Sequence, residues 1–162
     1  MINYVKGDAV EANACDGTKI IAHIVNDYGG WGRGFVIPLG RKYPLARESY
    51  REWAATDELM LGAVQFVQVQ KNTLSLFDSS ISPSSIWVAN MCAQLGNSTP
   101  EYVAVQYDAV ADSLDGVNSF AKELGATIHM PRIGCGLGGG DWNFIEEIIN
   151  EHVDVDTYVY DL

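Results

Sequence analysis

Apolar positions recur along this chain with two different spacings, and the switch between them marks out the elements. Lys19–Val25 (Lys-Ile-Ile-Ala-His-Ile-Val) is a nearly continuous apolar run, the signature of a strand covered on both faces. Ile86–Cys92 reads as a second buried strand, and Thr127–Arg132 as a third. Ala63–Gln70 alternates instead, with Val64, Phe66, Val67 and Val69 against Gln65, Gln68 and Gln70, which predicts a half-exposed strand. Short strands are expected at Ile2–Lys6 and Thr157–Asp161. Helical spacing appears at Phe35–Lys42 and, after Pro44, at Leu45–Ala55. The longest helix is expected over Glu101–Leu124, with Val103, Tyr107, Val110, Leu114, Val117 and Ala121 on one face, Pro100 near its start and Gly125 at its stop. Asp141 is placed to cap a last helix, Trp142–His152, with Glu146 and Glu147 early in it. Leu74–Ser84 is Ser-rich and shows neither spacing. Strands alternating with helices predict an α/β fold with a largely parallel, two-sided sheet, as one domain across residues 1–162.

Composition narrows the function classes. The chain has 162 residues, 48% hydrophobic and 19% charged, which is globular, and no apolar run approaches the ~18 residues of a membrane span. The first residues, Met-Ile-Asn-Tyr-Val-Lys-Gly-Asp, carry charge where a signal peptide needs an apolar stretch. Cys15, Cys92 and Cys135 form no Cys-x-x-Cys pair, so they read as reduced thiols of a cytoplasmic protein, with no metal expected. The formal charge is −11, and its acidity is uneven: residues 100–162 hold twelve acids against only Lys122 and Arg132. A long nucleic-acid groove needs the opposite sign, because its affinity comes from neutralising phosphates. A phosphate-bearing ligand must then be held locally, by backbone amides and helix N-termini.

Two glycine-rich turns offer such amides. The first, Asn26-Asp27-Tyr28-Gly29-Gly30-Trp31-Gly32-Arg33-Gly34, follows a buried strand and precedes a helix. The second, Ile133-Gly134-Cys135-Gly136-Leu137-Gly138-Gly139-Gly140, has the same setting. In an open α/β sheet this is the carboxyl edge, where ligands bind. Gly134, Gly136 and Gly139 spell a G-x-G-x-x-G, but a dinucleotide fingerprint opens its fold, and here one strand remains. No Walker lysine and no Cys-x5-Arg is present, which sets aside a P-loop and a cysteine phosphatase. Trp31, at the tip of the first turn, either closes over a ligand or packs beneath the loop.

The blocks Tyr4-Val5-Lys6-Gly7-Asp8, Ala22-His23-Ile24-Val25-Asn26-Asp27 through Gly34, and Met130-Pro131-Arg132-Ile133-Gly134-Cys135-Gly136-Leu137 resemble the macrodomains. The branch they most resemble includes the terminal ADP-ribose protein glycohydrolase and the ADP-ribose-1''-phosphate phosphatases, and the likeness runs to Val159-Tyr160-Asp161-Leu162. It implies a three-layer α/β/α fold with a mixed, largely parallel central sheet, ADP-ribose or a derivative as ligand, and no cofactor. By the same resemblance Asp8 accepts from the adenine amino group, Asn26 contacts the distal ribose, and Gly30, Trp31, Gly32 and Gly34 belong to the diphosphate loop. Gly134, Cys135, Gly136, Leu137, Gly138 and Gly139 match the second phosphate loop, with Arg132 as the base beside it, and Tyr160 and Leu162 flank adenine.

The departures from that pattern matter as much. The strand Trp87–Gln94 carries no lysine, and Gly138 stands where the glycohydrolases have an aspartate, so a lysine-linked sugar intermediate lacks its nucleophile. His23 and Asp141 remain as candidate catalytic groups: an imidazole for acid–base or nucleophilic work, and a carboxylate to orient it, activate water, or cap its helix. The favoured reaction is hydrolysis of ADP-ribose-1''-phosphate. Alternatives are a non-catalytic reader of ADP-ribose, and a hydrolase that removes ADP-ribose from macromolecules or opens a cyclic ADP-ribose signal.

Overall fold

The computed structural model describes residues 2–71, 84–96 and 102–162. Its elements are β1 (Ile2–Lys6), β2 (Lys19–Asn26), α1 (Val36–Lys42), α2 (Pro44–Ala54), β3 (Val64–Gln70), β4 (Ile86–Gln94), α3 (Tyr107–Leu124), β5 (Thr127–Met130), α4 (Trp142–His152) and β6 (Thr157–Asp161). The strands form one six-stranded sheet in the order β1-β6-β5-β2-β4-β3. Every pairing is parallel except β3 with β4. The alternation in β3 has its cause here: it is an antiparallel edge strand, with a single fully buried residue, Val67. The unpatterned stretch lies outside the described residues apart from Ser84.

The continuous apolar run of β2 serves two cores, because successive side chains point to opposite faces. Ile20 and Ala22 join Ala89, Met91, Ile128, Met130 and Val159 beneath α3 and α4. Ile21 and Val25 join Val88, Leu39, Ala46 and Tyr50 on the α1 and α2 face. The result is a three-layer α/β/α arrangement with a mixed sheet. The longest helix differs from its expected span. It starts at Tyr107, and Val105 instead bridges to Gln94 as extended chain, with the Gln106 N–H donating to Ala93 O at 2.8 Å. Val103 is accordingly 48% exposed, although it fits the helical spacing. Local periodicity overran the boundary because a tertiary hydrogen bond outweighs helix propensity there. Gly125 stops α3 in the left-handed conformation (φ +64°), and Asp141 caps α4 by accepting from Asn143 N–H at 2.9 Å. Among the described residues no helix is long and apolar enough to cross a membrane.

Candidate functional site

All five parallel strands end on one edge, so the turns after β2 and β5, adjacent in the sheet, face each other there. Between them lies a cleft of about 470 Å³. Gly30, Gly32, Gly34 and Phe35 line one wall; Pro131, Arg132, Gly134, Gly136, Leu137 and Gly138 line the other; His23 and Asn26 lie at the end of β2. A second cavity of about 190 Å³ opens at the ends of β1 and β6, lined by Asp8, Tyr160 and Leu162. The two share Phe35, Pro131 and Arg132, so they form one trough across the ends of β1, β6, β5 and β2.

Asn26 organises the first loop. Its Oδ1 accepts from Gly30 N–H at 2.9 Å and Tyr28 N–H at 3.2 Å, while its Nδ2 donates to Gly30 O at 3.1 Å. The Tyr50 hydroxyl lies 2.7 Å from both Asn26 oxygens and accepts from Gly29 N–H at 3.0 Å. Burial raises the Tyr50 hydroxyl well above its ordinary value, so it stays a donor. One amide side chain thus folds five residues into a loop.

Trp31 packs beneath that loop rather than closing over the cleft. It is 6% exposed, with its ring 5.4 Å from His23 and 5.6 Å from Tyr50. Gly40 of α1 makes room for it: a Cβ built there falls 2.6 Å from Trp31 Nε1. Gly40→Ala is therefore expected to cost about 1–3 kcal/mol in overpacking, of which helix propensity returns roughly 1 kcal/mol. Urea unfolding followed by Trp fluorescence reads both the lost stability and the displaced indole.

His23 is 2% exposed and held neutral, with burial pushing its pKa down to about 4. The hydrogen-bond network fixes its tautomer. Asn90 Nδ2 donates to Ala46 O and Gln65 Oε1, which leaves Asn90 Oδ1 to accept from His23 Nε2–H at 2.5 Å. Nδ1 then carries the lone pair, and it has no partner among the described residues.

In the second loop, Gly140 N–H donates to Gly134 O at 2.7 Å and Val105 N–H to Gly138 O at 3.1 Å. Gly134 (φ +75°) is wedged against Ile145, Val105 and Ile24, where a Cβ does not fit. Leu137 is 49% exposed on the cleft. Gly139 and Cys135 belong to the loop but do not line the cleft. The Cys135 thiol faces Ile133 O at 3.4 Å, and burial raises its pKa. Asp141 is exposed beyond the loop, its carboxylate on the α4 cap and its N–H donating to Tyr107 Oη at 3.0 Å, outside the cleft lining that contains His23. Of the two candidate catalytic groups, His23 lines the cleft and Asp141 does not: it caps the start of α4.

Arg132 lines both cavities, but its fork is engaged. Nε and Nη2 donate to the two Asp161 carboxylate oxygens at 2.7 and 2.9 Å, and the guanidinium lies 5.2 Å from the Tyr4 and Trp142 ring centres. Asp8 closes its own turn by accepting from Val10 N–H at 2.9 Å. Tyr160 is tied from behind: its hydroxyl accepts from Ala14 N–H at 3.1 Å and is hydrogen-bonded to His129 Nδ1 at 2.7 Å. His129 Nε2 in turn shares a hydrogen bond with Thr127 Oγ1 at 2.8 Å. The cleft residues that escaped the sequence reading as site residues include Tyr28, Arg33, Phe35 and Gln94. Arg33 alone carried a signal, as a cation inside a glycine loop of an acidic chain.

A fold and trough of this kind define a class, and comparison with known proteins agrees. No family model matches the chain. A macrodomain protein from Streptomyces coelicolor is 39% identical, with a TM-score of 0.78, over 100% of this chain and 99% of that one. A protein of unknown function from Bacteroides thetaiotaomicron is 42% identical over 100% of this chain and 98% of that one, with a TM-score of 0.85. The ADP-ribose 1''-phosphate phosphatase of Lodderomyces elongisporus is 26% identical over 167 residues, 99% of each chain. The chain is also 28% identical to a mouse chromodomain-helicase-DNA-binding protein 1-like, of which it spans only 17%. The chain belongs to the macrodomain family.

Proposed function

We propose that this protein binds ADP-ribose along the trough and hydrolyses a derivative of it, ADP-ribose 1''-phosphate. One observation carries the binding reading. The two cavities join across the strand ends, with an aromatic and an acid at one end and two amide-lined loops at the other. Adenine fits the end with Asp8, Tyr160 and Leu162, the diphosphate lies between the glycine loops, and the distal ribose reaches toward Asn26 and His23. The activity for which the Lodderomyces relative is named supports the choice of substrate.

In the proposed reaction a water oxygen attacks phosphorus, the bond from phosphorus to the ribose oxygen breaks, and ADP-ribose leaves with a proton on that oxygen. Loop amides stabilise the charge on the phosphoryl oxygens. His23 Nδ1, buried and unpartnered beside the cleft, is the proposed acceptor for the proton of a water that enters with the substrate, with Nε2–H anchored on Asn90. Asp141 caps α4 where the second loop ends. Because His23 is neutral down to a pKa of about 4, the acid limb of its activity is expected near that value rather than near 6.5.

A reader without catalysis is the second reading, favoured by the burial of His23 and by the helix-capping contact of Asp141. Calorimetry with ADP-ribose tests what both share, and no binding at millimolar ligand overturns both. Phosphate release from ADP-ribose 1''-phosphate separates them. Turnover is expected to fall about 100-fold in His23→Ala, and to fall also in Asp141→Ala. Wild-type turnover in both variants removes these residues from the mechanism, and binding without any turnover leaves the reader.

A further inference from the structure

We infer that Arg33 is the specificity-determining residue that selects a terminally phosphorylated ADP-ribose over ADP-ribose itself. The inference rests on the binding mode proposed above and adds to it the group that recognises the substrate's extra charge.

A phosphomonoester brings close to two more negative charges than the diphosphate alone, and this protein carries −11 before it binds anything. Glycine-loop amides serve a diphosphate well, but a terminal dianion in such a field calls for a cation. Only two cationic side chains line the trough among the described residues, Arg33 and Arg132. Arg132 is already neutralised: both of its bonding nitrogens are on the Asp161 carboxylate, and two aromatic rings hold the guanidinium.

Arg33 is in a different state. It lies on the larger cavity only, in the loop that Asn26 folds, and it is exposed. The ion pairs among the described residues use Lys42, Lys122, Arg132 and His152, and none uses Arg33. Its neighbours Gly32 and Gly34 crowd it with no side chain, and Gly34 sits in the left-handed region (φ +81°). That turn projects the intervening residue from the loop on the wall of the cavity that also holds His23. A free guanidinium offers a planar fork matched to two oxygens of one phosphate, which a lysine ammonium lacks. Diphosphate oxygens flanked by two amide-lined loops have other donors, which leaves Arg33, on the same cavity and outside the ion pairs among the described residues, for a phosphate on the far ribose carbon.

Affinities for ADP-ribose and ADP-ribose 1''-phosphate are to be compared in wild type, Arg33→Ala and Arg33→Lys, by stopped-flow competition against a fluorescent ADP-ribose before turnover. Arg33→Ala is expected to weaken the phosphorylated ligand about tenfold to a hundredfold and ADP-ribose less than threefold. Arg33→Lys is expected to recover only part of the loss, and added salt to weaken the phosphorylated ligand more than ADP-ribose in wild type. An equal loss for both ligands assigns Arg33 to the shared diphosphate and overturns the inference, as does unchanged binding of both. Failure of wild type to bind ADP-ribose overturns instead the binding reading on which it stands. Thermal unfolding of each variant keeps a folding defect from imitating either result.

Discussion

Acidification from pH 7 to pH 4 is expected to remove about 6 kcal/mol of folding stability through two buried histidines alone. His23 and His129 both have folded-state pKa values pushed down to about 4, in each case first by burial; Lys19 pushes His129 further. In the unfolded chain each returns to about 6.5. Between those values the unfolded state binds a proton at each site and the native state does not. Stability therefore rises with pH across the window and is lost as pH falls from about 6.5 toward 4. A depression of about 2.5 pKa units corresponds to about 3 kcal/mol per histidine. Urea midpoints at pH 7, 5.5 and 4 measure the loss. The His129→Gln variant is expected to halve the slope, since one titrating group is gone. A midpoint that does not move with pH in wild type contradicts the buried, neutral state of both rings. The Arg132 guanidinium holds the Asp161 carboxyl below the usual carboxylate range.

The second large effect is at Asn26. Replacing it by Ala leaves two loop N–H groups and the Gly30 carbonyl without their partner and removes an acceptor from Tyr50. Unmet groups that are partly buried cost about 1–3 kcal/mol each before water reaches them, so a total near 3 kcal/mol is expected for Asn26→Ala. Affinity for ADP-ribose is expected to fall about 100-fold, because loop amides that must be reordered on binding no longer give their full energy. Stability and affinity are thus expected to fall together, which distinguishes a loop organiser from a ribose contact. A ribose contact alone gives weaker binding with an unchanged urea midpoint. Asn26→Asp keeps the acceptor and loses the donor to Gly30 O. It is expected to recover part of the stability while the added charge keeps diphosphate binding weak.

These expectations depend on features the sequence displayed unequally. β1, α4 and β6 have the ends that periodicity predicted, since caps and apolar runs are local signals. The start of α3 was not legible, because the competing hydrogen bonds come from Ala93 and Gln94, which belong to another strand. Both glycine turns could be read as anion loops from composition and position. The role of Asn26 within its loop could not, since an asparagine before glycines looks alike whether its amide faces a ligand or its own backbone. His23 stood out by type, but its tautomer depends on Asn90, 67 positions away.

By itself the sequence determined the α/β layer architecture and the place of the two glycine turns, because periodicity and glycine content are properties of the chain; its net charge of −11 carries only the expectation that no long polyanion binds. Only the tertiary structure decided which polar groups near those turns are free. Arg132 and Arg33 are the same residue beside similar loops, yet one guanidinium is bound to Asp161 and the other has no ion-pair partner among the described residues. Partnership across distant segments sets the charge and the donors that a ligand meets, and spacing along the chain does not record it.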